Sequence, residues 1–307
     1  MRVLTRDVAR ARSKLSTPRT TFHAPADWAD ALAGAGGVVN LAGEPIATRW
    51  SEPLKREIRR SRVDGTRSLV ATIAALPAES RPPVLVSASA VGFYGTSETQ
   101  SFSESSPAGT DFLARLCADW EAEAFAARGA GLRVAAVRTG IVLAREGGAL
   151  AKMLPVFAAF AGGPLGSGSQ WCSWIHADDL VSLYVAALTD ETYDGPFNGT
   201  APSPARMADL CAALGTALGR PSWLPVPNVA LTVSRGRGVG WGGEGAGSTR
   251  PRGLASPPTP GSRPQAMLGG GASVVLEGQR VLPAAAASAG FRHAHATLGP
   301  AVRHVLR

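Results

Sequence analysis

The sequence predicts an α/β protein built on a doubly wound, mostly parallel sheet. Short apolar runs alternate along the chain with segments of helical periodicity, and the apolar runs lack polar alternation. Strands of that kind are buried on both faces, which requires helices on both sides of the sheet. Right-handed crossovers between the parallel strands then give the doubly wound arrangement.

Individual elements follow from the same patterns. Strands are predicted at 37–41, 83–87 and 132–138. Helices are predicted at 52–75, 111–128, 178–188 and 203–218, where apolar residues recur near the helical period. The strands and helices alternate in order, as a doubly wound sheet requires.

The organisation of the chain changes after residue 233. Residues 1–233 are predicted to form the α/β domain, and residues 234–265 are rich in glycine, proline, serine and arginine. That composition buries too little apolar surface to offset the entropy of ordering, so we expect a disordered insertion. Residues 266–307 regain apolar character and are predicted to form a small C-terminal domain.

Composition restricts the class of protein. The 307 residues contain no apolar stretch long enough for a membrane helix and no signal-peptide core at the start, so we expect a soluble, cytoplasmic protein without a membrane partner. The net charge is +8, but five arginines and one glutamate in 234–265 supply +4 of it, so no nucleic-acid partner is predicted. Three scattered cysteines predict reduced, buried thiols.

Several motifs follow one another along the chain in a specific order. They are Asn40-Leu41-Ala42-Gly43-Glu44, Trp50 with Ser61-Arg62-Val63-Asp64-Gly65-Thr66, Ser87-Ala88-Ser89-Ala90-Val91-Gly92-Phe93-Tyr94-Gly95, Trp120-Glu121, Arg138-Thr139-Gly140-Ile141-Val142-Leu143, Trp174-Ile175-His176-Ala177-Asp178-Asp179-Leu180 and Leu276-Glu277-Gly278-Gln279-Arg280-Val281-Leu282-Pro283. This series resembles the extended short-chain dehydrogenase/reductases, and within them an atypical epimerase branch with a small C-terminal domain of unassigned role. The resemblance implies a Rossmann-like fold, a nicotinamide dinucleotide bound to residues 1–233, and a small-molecule substrate beside the C-terminal region.

The start of the chain departs from that family. Its members begin with a strand, a glycine-rich turn and a helix, whose N-terminus meets the pyrophosphate. Residues 1–6 resemble the second strand of the family instead, so we expect about one βα unit to be absent and the dinucleotide to bind weakly. A misplaced start codon and a genuine loss both remain open, and the insertion at 234–265 raises the same question.

The resemblance implies cofactor contacts along the first half of the chain. Thr5 and Arg6 would close the strand that meets the adenosine ribose, and an arginine there pairs with a 2′-phosphate, which favours NADP(H) over NAD. Asn40, Leu41, Ala42 and Gly43 would bind the cofactor at a turn where small residues permit close approach, with Leu41 and Ala42 lining the adenine side. A tight turn between strand and helix is the alternative for these residues. Glu57 and Arg62 would lie near the cofactor, although both could equally be solvated helix residues.

Further contacts are expected at the ends of two later strands. Ser87 would lie beside the cofactor, and Thr139, Gly140 and Ile141 would face its nicotinamide half. In a doubly wound fold, the carboxyl ends of the parallel strands form the ligand site.

The catalytic prediction concerns Ser89 and Tyr94. In ordinary family members a serine or threonine binds the substrate oxygen, and a tyrosine–lysine pair moves the proton. Leu116 and Trp120 stand about where that pair would fall, so Ser89 becomes the candidate hydrogen-bond donor and Tyr94 the candidate phenol. A packed aromatic with a satisfied hydroxyl is the alternative for Tyr94.

Histidines are assigned no catalytic or metal role from the sequence. We interpret His176 as part of a strand-to-helix turn. His293 and His295 form a His-x-His pair with no third ligand apparent, so no metal site is predicted.

Two functions fit these observations, and the oligomeric state is not predicted. One is an NADP(H)-dependent oxidoreductase or epimerase-like enzyme acting on a carbonyl, alcohol or sugar-nucleotide-like substrate. The other is a cofactor-binding protein without redox turnover, a pseudoenzyme or sensor, which the missing tyrosine–lysine pair favours.

Overall fold

Alternating strands and helices make up most of the chain, and the computed structural model describes residues 1–15, 17–46, 50–164, 166–222 and 277–307. The strands are β1 (Arg2–Leu4), β2 (Thr21–His23), β3 (Val38–Asn40), β4 (Val84–Ala90), β5 (Ser101–Phe102), β6 (Arg133–Thr139), β7 (Ile141–Leu143), β8 (Trp171–Cys172), β9 (Trp174–His176), β10 (Gly195–Gly199), β11 (Ala205–Arg206) and β12 (Arg280–Val281). The helices are α1 (Val8–Lys14), α2 (Trp28–Leu32), α3 (Glu52–Arg59), α4 (Gly65–Ala74), α5 (Phe112–Phe125), α6 (Gly148–Ala158), α7 (Ala177–Thr189), α8 (Met207–Leu218), α9 (Ala284–Ser288) and α10 (Leu298–Val305).

A four-stranded parallel sheet forms the core, in the order β10-β6-β4-β3. Within the described residues, β1 pairs with β2 and is not hydrogen-bonded to this sheet. The prediction of a parallel α/β sheet is confirmed. β10 was not predicted, because its sequence Gly-Pro-Phe-Asn-Gly has no apolar run, and its pairing with β6 makes it a strand.

Helices cover both faces of the sheet. Leu85 of β4 packs on one face with a cluster that includes Ile73 of α4 and Ala124 of α5. Its neighbour Val86 points to the opposite face, into a cluster that includes Leu183 of α7. This alternation explains why the strands are apolar along their whole length.

Of two predicted helices, one is confirmed and the other begins later than predicted. The predicted helix at 52–75 is confirmed as α3 and α4, which join through a π-helical stretch at Arg60–Asp64. The helix predicted from residue 203 begins only at Met207, after the short strand β11. Pro204 disfavours a helical residue before it, and the Asp209 carboxylate accepts a hydrogen bond from the Arg206 N–H to cap α8.

The C-terminal segment, residues 277–307, packs against the main body of the protein. β12 pairs in parallel with β5, and Val281 is buried with Tyr94 and Phe102. Residues 223–276 lie outside the described residues, and with them the predicted insertion at 234–265. The proposed boundaries of the C-terminal domain therefore stay a prediction. Among the described helices, none has the length and apolar character needed to cross a bilayer.

Candidate functional site

A rigid turn follows β3 at the carboxyl edge of the sheet. The Asn40 amide donates to the Thr66 hydroxyl at 2.9 Å and to the Ser87 hydroxyl at 3.3 Å, and its oxygen accepts the Ala42 N–H at 3.2 Å. These bonds hold residues 40–43 in place while the Leu41 side chain stays 67% exposed. An exposed leucine on a fixed turn offers an apolar surface to a flat ring.

Arg62 extends along this turn from the π-helical stretch. Its Nη1 donates to the Glu44 carbonyl at 2.9 Å, and its guanidinium carbon lies 5.3 Å from the centre of the Trp120 ring. A Cβ atom at Gly43 would lie 2.9 Å from that guanidinium, so a larger residue there would displace the end of the Arg62 side chain. Burial lowers the pKa of Arg62. Among the described residues no carboxylate lies within 4.0 Å of Arg62, so its charge is available to an anion.

Arg6 reaches the same helical segment from the end of β1. Its Nη1 lies 4.0 Å from Oε1 of Glu57, which is hydrogen-bonded more closely to Arg60, through two contacts of 2.8 Å. The Arg60 hydrogen bond also lowers the pKa of Glu57. Thr5 accepts the Asp7 N–H at 3.2 Å ahead of α1. Arg6 and the turn at 40–43 therefore border the same helix.

A buried polar network occupies the ends of β4 and β6. Arg138 donates through Nε and Nη2 to the two carboxylate oxygens of Glu121, each at 2.8 Å. The Ser89 hydroxyl donates to Oε1 of Glu121 at 2.6 Å. All three side chains are buried, so Ser89 is fixed by an ion pair rather than exposed to solvent.

Tyr94 belongs to the same network. Its hydroxyl accepts a hydrogen bond from Nη1 of Arg138 at 2.9 Å and donates to the side-chain oxygen of Asn198 at 2.7 Å. Its ring stacks on Phe102 with centroids 5.2 Å apart. Burial raises the pKa of Tyr94 although Arg138 acts in the opposite direction, so the phenol keeps its proton at neutral pH.

The segment after β6 connects the central sheet to β7 and β9. Gly140 donates to the Gly199 carbonyl at 3.0 Å, and Ile141 donates to the Ser173 carbonyl at 2.7 Å. A Cβ atom at Gly140 would lie 2.3 Å from the Ser173 carbonyl oxygen, so backbone packing alone requires glycine there. Thr139 is partly exposed, and its hydroxyl donates to the Val137 carbonyl at 3.3 Å.

Comparison with known protein families identifies matches in two parts of the chain. The NAD dependent epimerase/dehydratase family matches residues 2–198, and a domain of unknown function, DUF1731, matches residues 259–305. The chain belongs to the NAD dependent epimerase/dehydratase family.

Individual proteins of the family are similar to this chain over its whole length. The chloroplastic "Epimerase family protein SDR39U1 homolog" of Arabidopsis thaliana is 46% identical over 100% of this chain and 80% of that protein. The crystal structure of human epimerase family protein SDR39U1 (isoform 2) with NADPH is 30% identical, has a TM-score of 0.77, and covers 99% of both chains. A nucleoside-diphosphate sugar epimerase from Corynebacterium glutamicum has a TM-score of 0.63 at 31% identity, covering 91% of this chain and 47% of that one.

Most of the expected site residues fall into two groups in this structure, and Thr139, Gly140 and Ile141 lie where β6 ends and β7 begins. Arg6, Glu57, Arg62 and the turn at 40–43 border one helix, and Ser87 joins them through Asn40. Ser89 and Tyr94 form the second group, called the inner group below, which is linked through Glu121 and Arg138. The structure does not test the roles of either group, which stay predictions. Leu116 is buried, and the Trp120 indole donates to the Thr66 hydroxyl at 2.9 Å.

Sequence reasoning missed the polar side chains that hold the inner group together. Glu121 and Arg138 were noted only as motif residues, and Asn198 was not noted. The available signal was a charged residue within an apolar strand or helix, since such residues are rarely buried without a partner.

A further cluster of possible metal ligands surrounds His295. The absence of a third ligand was the reason for predicting no metal at His293 and His295. The structure places His176, Asp178 and His304 beside His295, whereas His293 bonds the Thr200 carbonyl at 2.9 Å. That reason therefore does not hold for His295.

Proposed function

We propose that this protein is an NADP(H)-binding oxidoreductase or epimerase-like enzyme that acts on a carbonyl, alcohol or sugar-nucleotide-like substrate. The observation that carries the proposal is the unneutralised Arg62 guanidinium beside the fixed turn at 40–43. Both lie at the carboxyl edge of a parallel sheet, where folds of this class hold ligands. Similarity over 99% of the chain to a human protein solved with NADPH supports the choice of cofactor.

The residues at this edge fit a phosphorylated adenosine. The Arg6 side chain is 67% exposed and its nearest carboxylate is 4.0 Å away, so it is free to pair with a 2′-phosphate. Exposed Leu41 suits the adenine face. Arg62 would place positive charge near the phosphates, with Ala42 and Gly43 permitting close approach.

The inner group would orient the substrate. A bound nicotinamide supplies the hydride acceptor or donor. Tyr94 retains its proton and would donate it to a substrate oxygen only after that proton leaves the Asn198 oxygen, while Arg138 holds the hydroxyl in position. Ser89 would donate to a substrate oxygen only after its hydroxyl leaves Glu121. Thr139, Gly140 and Ile141 would border the nicotinamide side.

The internal hydrogen bonds of the Ser89 and Tyr94 hydroxyls favour a second candidate function. Ser89 and Tyr94 are both buried, and both hydroxyl protons are donated within the network. The resemblance places Leu116 and Trp120 about where the usual proton-transfer pair would fall. A cofactor-binding protein without turnover would have this arrangement. Measurable NADPH binding with no oxidation across a panel of carbonyl substrates would favour this candidate over the enzyme.

Cofactor titration tests the proposal directly. Quenching of tryptophan fluorescence is measured with NADPH and with NADH, for the wild type and for Arg6→Ala and Arg62→Gln. We expect Arg6→Ala to weaken NADPH about 10- to 100-fold and leave NADH nearly unchanged, because one charge-assisted pair is lost. Arg62→Gln should weaken both.

A matched control uses Arg128, which pairs with Asp194 on the surface. Arg128→Ala should leave both affinities unchanged. Absence of any response to either dinucleotide at millimolar concentration would overturn the proposal.

A further inference from the structure

Three histidines and an aspartate converge where the C-terminal segment meets α7. His176 ends β9 and caps α7, and Asp178 lies in the first turn of that helix. His295 precedes α10, and His304 lies in its last turn. One nitrogen or oxygen atom from each of the four residues lies within 4.8 Å of the others. The dinucleotide site described above uses none of them.

The spacing suits a divalent ion. Oδ2 of Asp178 lies 3.5 Å from Nε2 of His295 and 4.0 Å from Nδ1 of His304. Ligand atoms about 2.0–2.1 Å from a tetrahedral zinc ion are separated by roughly 3.3 Å. Small side-chain rotations would therefore bring these three atoms onto one ion.

A buried carboxylate holds the cluster in place. Asp179 accepts the backbone N–H of Ala294 at 2.7 Å and that of His295 at 3.0 Å. This fixes the backbone of His295 over the start of α7. The carboxylates of Asp178 and Asp179 also supply two negative charges to balance a doubly charged ion.

His176 has a different position from the other three residues. Its ring stacks on that of His295, with centroids 3.7 Å apart and planes inclined by 26°, so the two rings cannot both direct a nitrogen at one ion as they stand. Its Nδ1 accepts the Asp178 N–H at 3.0 Å. His176 is therefore a positioning residue for the cluster, and burial, with His295 next to it, lowers its pKa.

We propose that Asp178, His295 and His304 bind a divalent transition-metal ion of the zinc class. The carboxylate and two imidazoles supply three ligands, and water takes the remaining position, since the Asp178 side chain is 62% exposed. Ion binding replaces the contact between Nε2 of His176 and Nδ1 of His304, now 3.1 Å, so the half-exposed His304 ring turns as the ion enters. The ion joins the C-terminal segment to α7.

Cobalt absorption and zinc titration of the full chain test this site. After treatment with a chelator, the wild type should bind one equivalent of Zn²⁺ by calorimetry and give visible Co²⁺ bands typical of low coordination. His295→Gln and His304→Gln should each weaken binding at least tenfold. Zinc should raise the melting temperature of the wild type, because it binds the folded state, and should not raise that of the variants.

The other two histidines of the chain provide matched controls. His23 lies on β2, and His293 contacts the Thr200 carbonyl. The variants His23→Gln and His293→Gln should therefore bind zinc as the wild type does. His304→Gln alters a half-exposed ring and should fold normally by circular dichroism. Failure of the wild type to bind, or equal binding by the wild type and both ligand variants, would overturn the proposal.

Discussion

Glu121 of α5 and Arg138 of β6 form a bidentate ion pair in the interior, each with a side chain only 5% exposed. Desolvating two charges costs free energy that their attraction offsets only when the geometry is good. Here Ser89 and Tyr94 complete the hydrogen bonding of the pair. The pair therefore fixes the two side chains predicted to contact the substrate.

Removing the negative charge of this pair should destabilise the protein strongly. Glu121→Gln leaves the Arg138 guanidinium buried without its anion, and we expect a loss of about 3–5 kcal/mol in the free energy of unfolding. Urea denaturation measures it. Asp194→Asn breaks the exposed pair with Arg128 and should cost no more than about 1 kcal/mol. Equal losses for the two variants would contradict the role assigned to burial.

Removal of the Tyr94 hydroxyl tests the same network from its other end. Tyr94→Phe leaves the Asn198 oxygen and one Arg138 donor without this partner. The free energy of unfolding should therefore fall by about 1–3 kcal/mol. The affinity for NADPH serves as the second measurement. It should stay within twofold of wild type, because the ring still packs on Phe102. A large loss of affinity with unchanged stability would show that the hydroxyl contacts the cofactor.

The three thiols should be inert in the folded protein. Cys117, Cys172 and Cys211 are buried, and desolvation raises their pKa values to about 12, about 12 and about 11. The thiolate is the reactive form, so a disulfide reagent at pH 8 should modify none of them. In guanidinium chloride it should modify all three. Rapid reaction of even one thiol in the native protein would contradict this burial.

Asp179 should control the attachment of the C-terminal segment. Asp179→Asn leaves one acceptor oxygen for two backbone N–H groups, and we expect a loss of about 1.5–3 kcal/mol. Limited proteolysis followed by mass spectrometry should show earlier cleavage near residue 294. The control substitution Asp194→Asn, which breaks only an exposed pair with Arg128, should leave the cleavage rate unchanged.

The sequence predicts those parts of this structure that depend on local patterns. β4 and β6 were recognisable because their apolar runs are continuous, and the 52–74 helix because its apolar residues recur at helical spacing. β10 was not, since Gly195–Gly199 becomes a strand only by pairing with β6. The same applies to the sites. The Asn40 turn follows a predicted strand, whereas His176, His295 and His304 come from distant parts of the sequence and meet only through folding.

The pairing of β12 with β5 links residues 179 positions apart, Ser101 and Arg280. A residue synthesised much later, Val281, therefore completes the packing around Tyr94 and Phe102. A ribosome makes about 5–20 residues per second, so this cluster stays open for roughly ten seconds or more after Phe102 has been added. During that interval Tyr94 and Phe102 lack the cover of Val281, so apolar surface that is buried in the folded protein stays exposed to water.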